Sequence, residues 1–213
     1  MYSPKHDIFF IHIPKCAGSS IDVALFRENG IDIPEGAKLK AHVPSSLCDQ
    51  YYFFGKNRDA HARPRDLVGH KEFDNASYKF AIVRNPWDRF VSEYHWRKRQ
   101  PRFRNIKPTD LINSYRKSGM QKEYAHTHFM PQWQYIFKND KSTMMVDEFF
   151  KLETDMDRLL ETLRNKTGNP DFSIPTRNVS KRDRDYRSFF DNNLKKELMP
   201  AFKDDMELFG YEF

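Results

Sequence analysis

The sequence predicts an α/β fold, a central and mostly parallel sheet flanked by helices. Two runs, Ile8-Phe9-Phe10-Ile11-His12-Ile13 and Tyr78-Lys79-Phe80-Ala81-Ile82-Val83, have the nearly unbroken apolar character of strands covered on both faces. Each is followed by a short loop and then a helical repeat. Strand-like and helix-like stretches alternate along the chain, which implies crossover helices and a parallel sheet.

The first strand stops at Pro14. After Lys15-Cys16-Ala17-Gly18-Ser19, the apolar residues Ile21, Ala24 and Leu25 recur at i, i+3 and i+4, so a helix follows. Residues 29–65 fit neither the strand nor the helix template and are left unassigned. After the second strand, Asn85-Pro86 reads as the cap and first residue of a helix to about residue 99. Its Trp87, Phe90, Val91 and Tyr94 share one face, with Ser92 and Trp96 on the other. Residues 146–152 form a third candidate strand. Met156, Leu159, Leu160 and Leu163 then make the stripe of a helix starting near Asp155. A terminal helical region from about Asp185 presents Leu194 and Leu198, and Pro200 is expected to interrupt it before Met206 and Phe209.

Composition narrows the class. The 213 residues include 36 Lys+Arg against 30 Asp+Glu, a formal charge of +6, and 19 Phe provide core material that disordered chains lack. One domain over residues 1–213 is expected. The two cysteines, Cys16 and Cys48, cannot build a disulfide scaffold, and no zinc-ligand spacing occurs. No apolar run reaches the ~18 residues of a membrane span, and no signal segment is evident, so a cytoplasmic location is expected.

Two loops carry the chemistry. A strand, the loop Lys15-Cys16-Ala17-Gly18-Ser19-Ser20 and a helix let backbone N–H groups and a helix N-terminus surround an anion, with Lys15 adding a charge and the serines donors. Gly18 permits close backbone approach. The order is not that of a Walker loop, because Lys15 precedes the glycine and no Gly-Lys-Ser/Thr supplies a magnesium hydroxyl. In the second unit Arg84 ends a strand, where α/β sheets bind ligands, and Ser92 lies off the core stripe. These two side chains can grip the same phosphate.

Together these motifs closely resemble sulfotransferases that use 3′-phosphoadenosine 5′-phosphosulfate (PAPS), in particular the branch containing carbohydrate sulfotransferases and bacterial relatives. The likeness extends more weakly to Gly69-His70, Phe129-Met130-Pro131-Gln132, Phe150-Lys151-Leu152-Glu153 and residues 205–211. It implies a P-loop-like sulfotransferase fold. It also implies that Lys15 through Ser20 bind the 5′-phosphosulfate, that Arg84 and Ser92 bind the 3′-phosphate, and that Asn178, Ser180 and Lys181 cover the nucleotide. The product would be 3′-phosphoadenosine 5′-phosphate (PAP), and no metal is expected. The acceptor would be a hydroxyl of a carbohydrate or other small molecule, with neither nucleic acid nor membrane as partner.

Sulfuryl transfer needs a cation for the departing phosphate, here Lys15, and a base for the acceptor hydroxyl. His70 is the first candidate base, from its intrinsic pKa and the Gly-His resemblance, with Glu72 and His42 as rivals. His126 and His128 read as structural. Two competing classes remain: a P-loop kinase or ATPase, from the Walker B-like Met144-Met145-Val146-Asp147-Glu148, and a basic nucleic-acid-binding module.

Overall fold

Strands β1 (Tyr2–Ser3), β2 (Ile8–Ile11), β3 (Tyr78–Val83) and β4 (Glu148–Lys151) form one sheet in that order. The computed structural model describes residues 1–34, 61–118, 128–177, 182–183 and 185–213. β2, β3 and β4 are parallel, with Phe10 opposite Phe80 and Phe80 opposite Glu148; β1 joins β2 antiparallel. All four residues of β2 are buried, as a central strand requires, whereas only Phe150 is buried in the edge strand β4. β2 is shorter than expected because His12 and Ile13, though buried, leave the ladder before Pro14.

Helix α1 (Gly18–Glu28) follows β2, and the short helices α2 (Pro64–Leu67) and α3 (Lys71–Asp74) precede β3. Helix α4 (Pro86–Lys98) follows β3; its Asn85 side chain accepts from the Trp87 N–H at 3.0 Å, the expected cap. α5 (Pro108–Ser118), which the sequence reading missed, and α6 (Met156–Thr167) come next.

The expected break at Pro200 is corrected: α7 (Asn192–Phe209) runs through it. Pro200 sits on the exposed face, while Leu198 and Phe202 on either side are buried against Trp87 and Phe90. Burying such side chains is worth about 1.5–3 kcal/mol each, enough to offset the ~3 kcal/mol cost of an internal proline. The helix also starts later than expected, because residues 186–189 form a separate 3-10 turn and Asp191 caps Leu194 at 2.7 Å.

Two apolar clusters result. One surrounds the sheet, around Phe10, Phe80 and Phe150. The other joins α4, α5 and α7, with the Trp87 ring edge-on to Phe190, Phe202 and Phe213 at 5.0–5.1 Å. The second cluster fixes α4 with its N-terminus at the carboxyl ends of β2 and β3. Among the described residues no helix is long and apolar enough to cross a membrane.

Candidate active site

The first loop curls through two residues in the left-handed region, Lys15 (φ 69°) and Ala17 (φ 59°), which cost of order 1–3 kcal/mol each. Ala17 occupies the cap of α1 without a side-chain hydrogen bond, and the first turn of α1 holds no acidic residue. Its leading N–H groups and the positive end of the helix dipole are therefore arranged for an anion.

Gly18 has a reason that the sequence reading did not foresee. A Cβ there would lie 2.0 Å from Nε2 of His12, so the imidazole occupies the space of a side chain. His12 is itself pinned by Asp22, Nδ1 to Oδ2 at 2.9 Å. Cys16 also packs inward. Its thiol is fully buried, donates to Gln132 Oε1 at 3.2 Å, and is pushed up to about 12 by burial. Ser19 is half-buried and Ser20 buried at the start of α1.

Arg84 directly follows β3 and is held by Gln132, Asp88 and Lys15. Gln132 brackets its backbone, accepting from the Arg84 N–H at 2.9 Å and donating to its carbonyl at 2.8 Å. Asp205 of α7 in turn accepts from the N–H groups of Gln132 and Trp133, both at 2.9 Å. The Arg84 guanidinium grips Asp88 Oδ2 at 2.9 and 2.6 Å and donates to the Lys15 carbonyl at 3.0 Å. Arg182 bonds the other oxygen of Asp88, so one carboxylate sets two guanidiniums side by side. Next along the chain, the Asn85 N–H donates to Glu153 at 2.8 Å.

Arg89 is 2% exposed and donates to the carbonyls of Pro14 (3.0 Å), Met130 (2.8 Å) and His128 (3.1 Å). Arg84 and Arg89 thus hold the consecutive carbonyls of Lys15 and Pro14. The second unit shapes the first.

Lys15 extends over the Trp96 ring, 5.2 Å from its centroid. Burial above all, with Arg84 and Arg99 adding to it and Glu93 opposing, lowers its pKa to about 8. Beside it runs a row of imidazoles: His12 to His61 at 4.6 Å and His61 to His128 at 5.1 Å between ring centres. Burial, then its two histidine neighbours, hold His61 well below 6.5 and therefore neutral.

The match of residues 1–212 to the model described as "Sulfotransferase family" decides the classification. The chain belongs to the sulfotransferase family. No curated protein and no solved structure matches it significantly. Sulfotransferases in general take the sulfuryl group from PAPS, so the enzyme is a transferase and the kinase reading of Asp147-Glu148 falls away. Asp147 instead accepts from the Lys79 N–H at 2.6 Å at the amino-terminal end of β3, far from the loops in strand direction.

In this sulfotransferase the structure brings Lys15, Gly18, Ser19, Ser20 and Arg84 together at the carboxyl ends of β2 and β3. Ser92 is buried on α4, one turn beyond Asp88. It does not bring His70 there, which corrects that expectation. His70 is the exposed cap of α3, whose Phe73 packs edge-on against Phe9 at 5.2 Å and under the Lys79 ammonium at 5.6 Å. That places His70 and Glu72 beside the amino-terminal half of β2 and β3, because the chain runs back along the sheet after His61. His42, His126, Asn178, Ser180 and Lys181 lie outside the described residues.

Several site residues escaped the sequence reading. Glu93 and Arg97 have the i, i+4 spacing of a helical ion pair and were findable. Gln132 and Asp205 fell within resembling segments without a role. His12 with Asp22, and Arg182, gave no local signal.

Proposed function

We propose that this enzyme transfers the sulfuryl group of PAPS to a hydroxyl of a carbohydrate or similar small acceptor, within one domain over residues 1–213. The carrying observation is the pair of arginine bonds that joins the Lys15 loop and the Arg84 strand end into one cationic edge. An uncapped helix N-terminus with a lysine suits a phosphosulfate. Two guanidiniums on one carboxylate, with Ser92 a turn away, retain net positive charge for a second phosphate. The residues fit the donor at both ends.

In this reading the acceptor oxygen attacks sulfur as the bond from sulfur to the 5′-phosphate breaks, and PAP departs. Lys15 stabilises the charge that builds on the departing phosphate, and no divalent cation is called for. The exposed cations Lys98, Arg99, Arg102, Arg104 and Lys107 follow directly after Trp96 and favour an acceptor that carries negative charge.

Incubation with sulfur-labelled PAPS and a panel of neutral and uronic-acid oligosaccharides tests this. Label should pass to an oligosaccharide in the presence of EDTA. Loss of transfer on chelation, or magnesium-dependent cleavage of ATP, contradicts it.

A further inference from the structure

Glu93 lies on α4 with its side chain fully buried close to the Lys15 loop, where anion binding gives no reason for a negative charge. Its two oxygens have separate partners. Oε1 accepts from Arg97 Nε at 2.7 Å, and Oε2 stands 2.9 Å from Nδ1 of His128. Burial alone would raise its pKa, but the hydrogen bond and charge of His128, then Lys15 and Arg97, hold it below the ordinary value. An ionised carboxylate only accepts, so Nδ1 of His128 carries a proton, and Nε2 is the nitrogen through which the neutral ring would accept another. The His128 ring stacks on Trp96 at 5.2 Å and 22°, and the Lys15 ammonium lies over that same indole. A proton acceptor and the leaving-group cation thus share one aromatic platform.

We propose that His128 is the general base of the transfer and that Glu93 is its positioning residue, an assignment that rests on the PAPS reading above. The neighbouring imidazoles His12 and His61 also have Nδ1 engaged, and what sets His128 apart is its stack on the Trp96 indole that carries Lys15. His12 has Nδ1 on Asp22 and Nε2 against Gly18, and His61 has Nδ1 on the His12 carbonyl at 2.9 Å. His128 keeps 18% of its side chain exposed. As the acceptor oxygen bonds to sulfur, its proton passes to His128 Nε2. The electron pair of the broken sulfur–oxygen bond leaves on PAP beside Lys15, and Glu93 balances the imidazolium that forms.

The test uses the full chain, labelled PAPS and an oligosaccharide that the wild-type enzyme sulfates, with PAP affinity measured by calorimetry. His128→Ala should lower kcat by about 10²–10⁴ while PAP affinity stays near wild type. Added imidazole should restore part of the rate, which loss of a structural side chain would not allow. Glu93→Gln should lower kcat at unchanged KM. It should also move the alkaline limb of the rate profile to lower pH, because Lys15 then faces Arg84 and Arg99 without its countercharge. If His128→Ala loses PAP binding, His128→Gln decides: a folded, PAP-binding but inactive protein supports the assignment, and an active one overturns it. Near-wild-type kcat in His128→Ala, or imidazole rescue of His70→Ala instead, also overturns it. A wild-type enzyme that binds no PAP and transfers no label from PAPS overturns the donor reading as well, whereas an active enzyme indifferent to His128 overturns this assignment alone.

Discussion

The two loops at the carboxyl ends of β2 and β3 of this sulfotransferase are built in opposite ways. The first relies on backbone: left-handed Lys15 and Ala17, a helix N-terminus without a side-chain cap, and one lysine. The second relies on side chains: Asn85 caps its helix, Gln132 brackets Arg84, and Asp205, Glu153 and Asp88 hold the rest. Moreover, Arg84 and Arg89 reach across to the first loop's carbonyls, and the Cys16 thiol reaches back to Gln132. Strained backbone persists where its surroundings over-determine it, and here a networked neighbour supplies that constraint.

The sharpest way to break this asymmetry is at the one charge the first loop owns. Lys15→Ala should lower kcat by about 10²–10³, the usual cost of losing a charge-stabilising donor, with thermal stability little changed. Steady-state kinetics beside a melting curve check both halves. Gln132→Ala should do the reverse, because it removes the amide that brackets the Arg84 N–H and carbonyl. Unsatisfied buried groups cost about 1–3 kcal/mol each, so a clear loss of stability by urea unfolding is expected. Gly18→Ala should destabilise by about 1–3 kcal/mol, because the new methyl displaces the His12 ring; a melting temperature equal to wild type would refute that packing.

The charge state of Lys15 adds a pH dependence. In the proposed transfer its charged form is the active one, and burial lowers its pKa to about 8, so the charge is present below that pH and lost above it. The value of kcat/KM should therefore fall on the alkaline side with an apparent pKa near this value, well before an ordinary lysine titrates. A smaller effect is expected at Ser92. Ser92→Ala should weaken PAP binding by about 0.5–1.5 kcal/mol, the worth of one hydrogen bond.

How much of this was legible in the sequence follows the same division. The two-residue β1 is too short to show a pattern, whereas strands β2, β3 and β4 and the helices next to the loops were readable because the apolar period and Asn85-Pro86 are local signals. So were Lys15 and Arg84, each placed by its position at a strand end. What could not be read is contact at long separation: Gln132 meets Arg84 across 48 residues and Asp205 across 73. Proximity in sequence also misled at His70. It stands shortly before β3, but a parallel strand begins at the end of the sheet opposite its ligand, so residues just ahead of it are carried away from the site. His128 reads as structural from its i, i+2 spacing to His126, and its contact with Glu93 spans 35 positions.

The central claim, that the two loops hold the two ends of one donor, meets its most direct test in calorimetry of PAP and of adenosine 5′-phosphosulfate, which lacks the 3′-phosphate, with EDTA present. Arg84→Ala should weaken PAP binding by about 1.5–3 kcal/mol, the worth of hydrogen bonds to a charged group, and leave adenosine 5′-phosphosulfate far less affected. Equal losses for the two ligands, or a wild-type protein that binds PAP only when magnesium is added, would contradict the account.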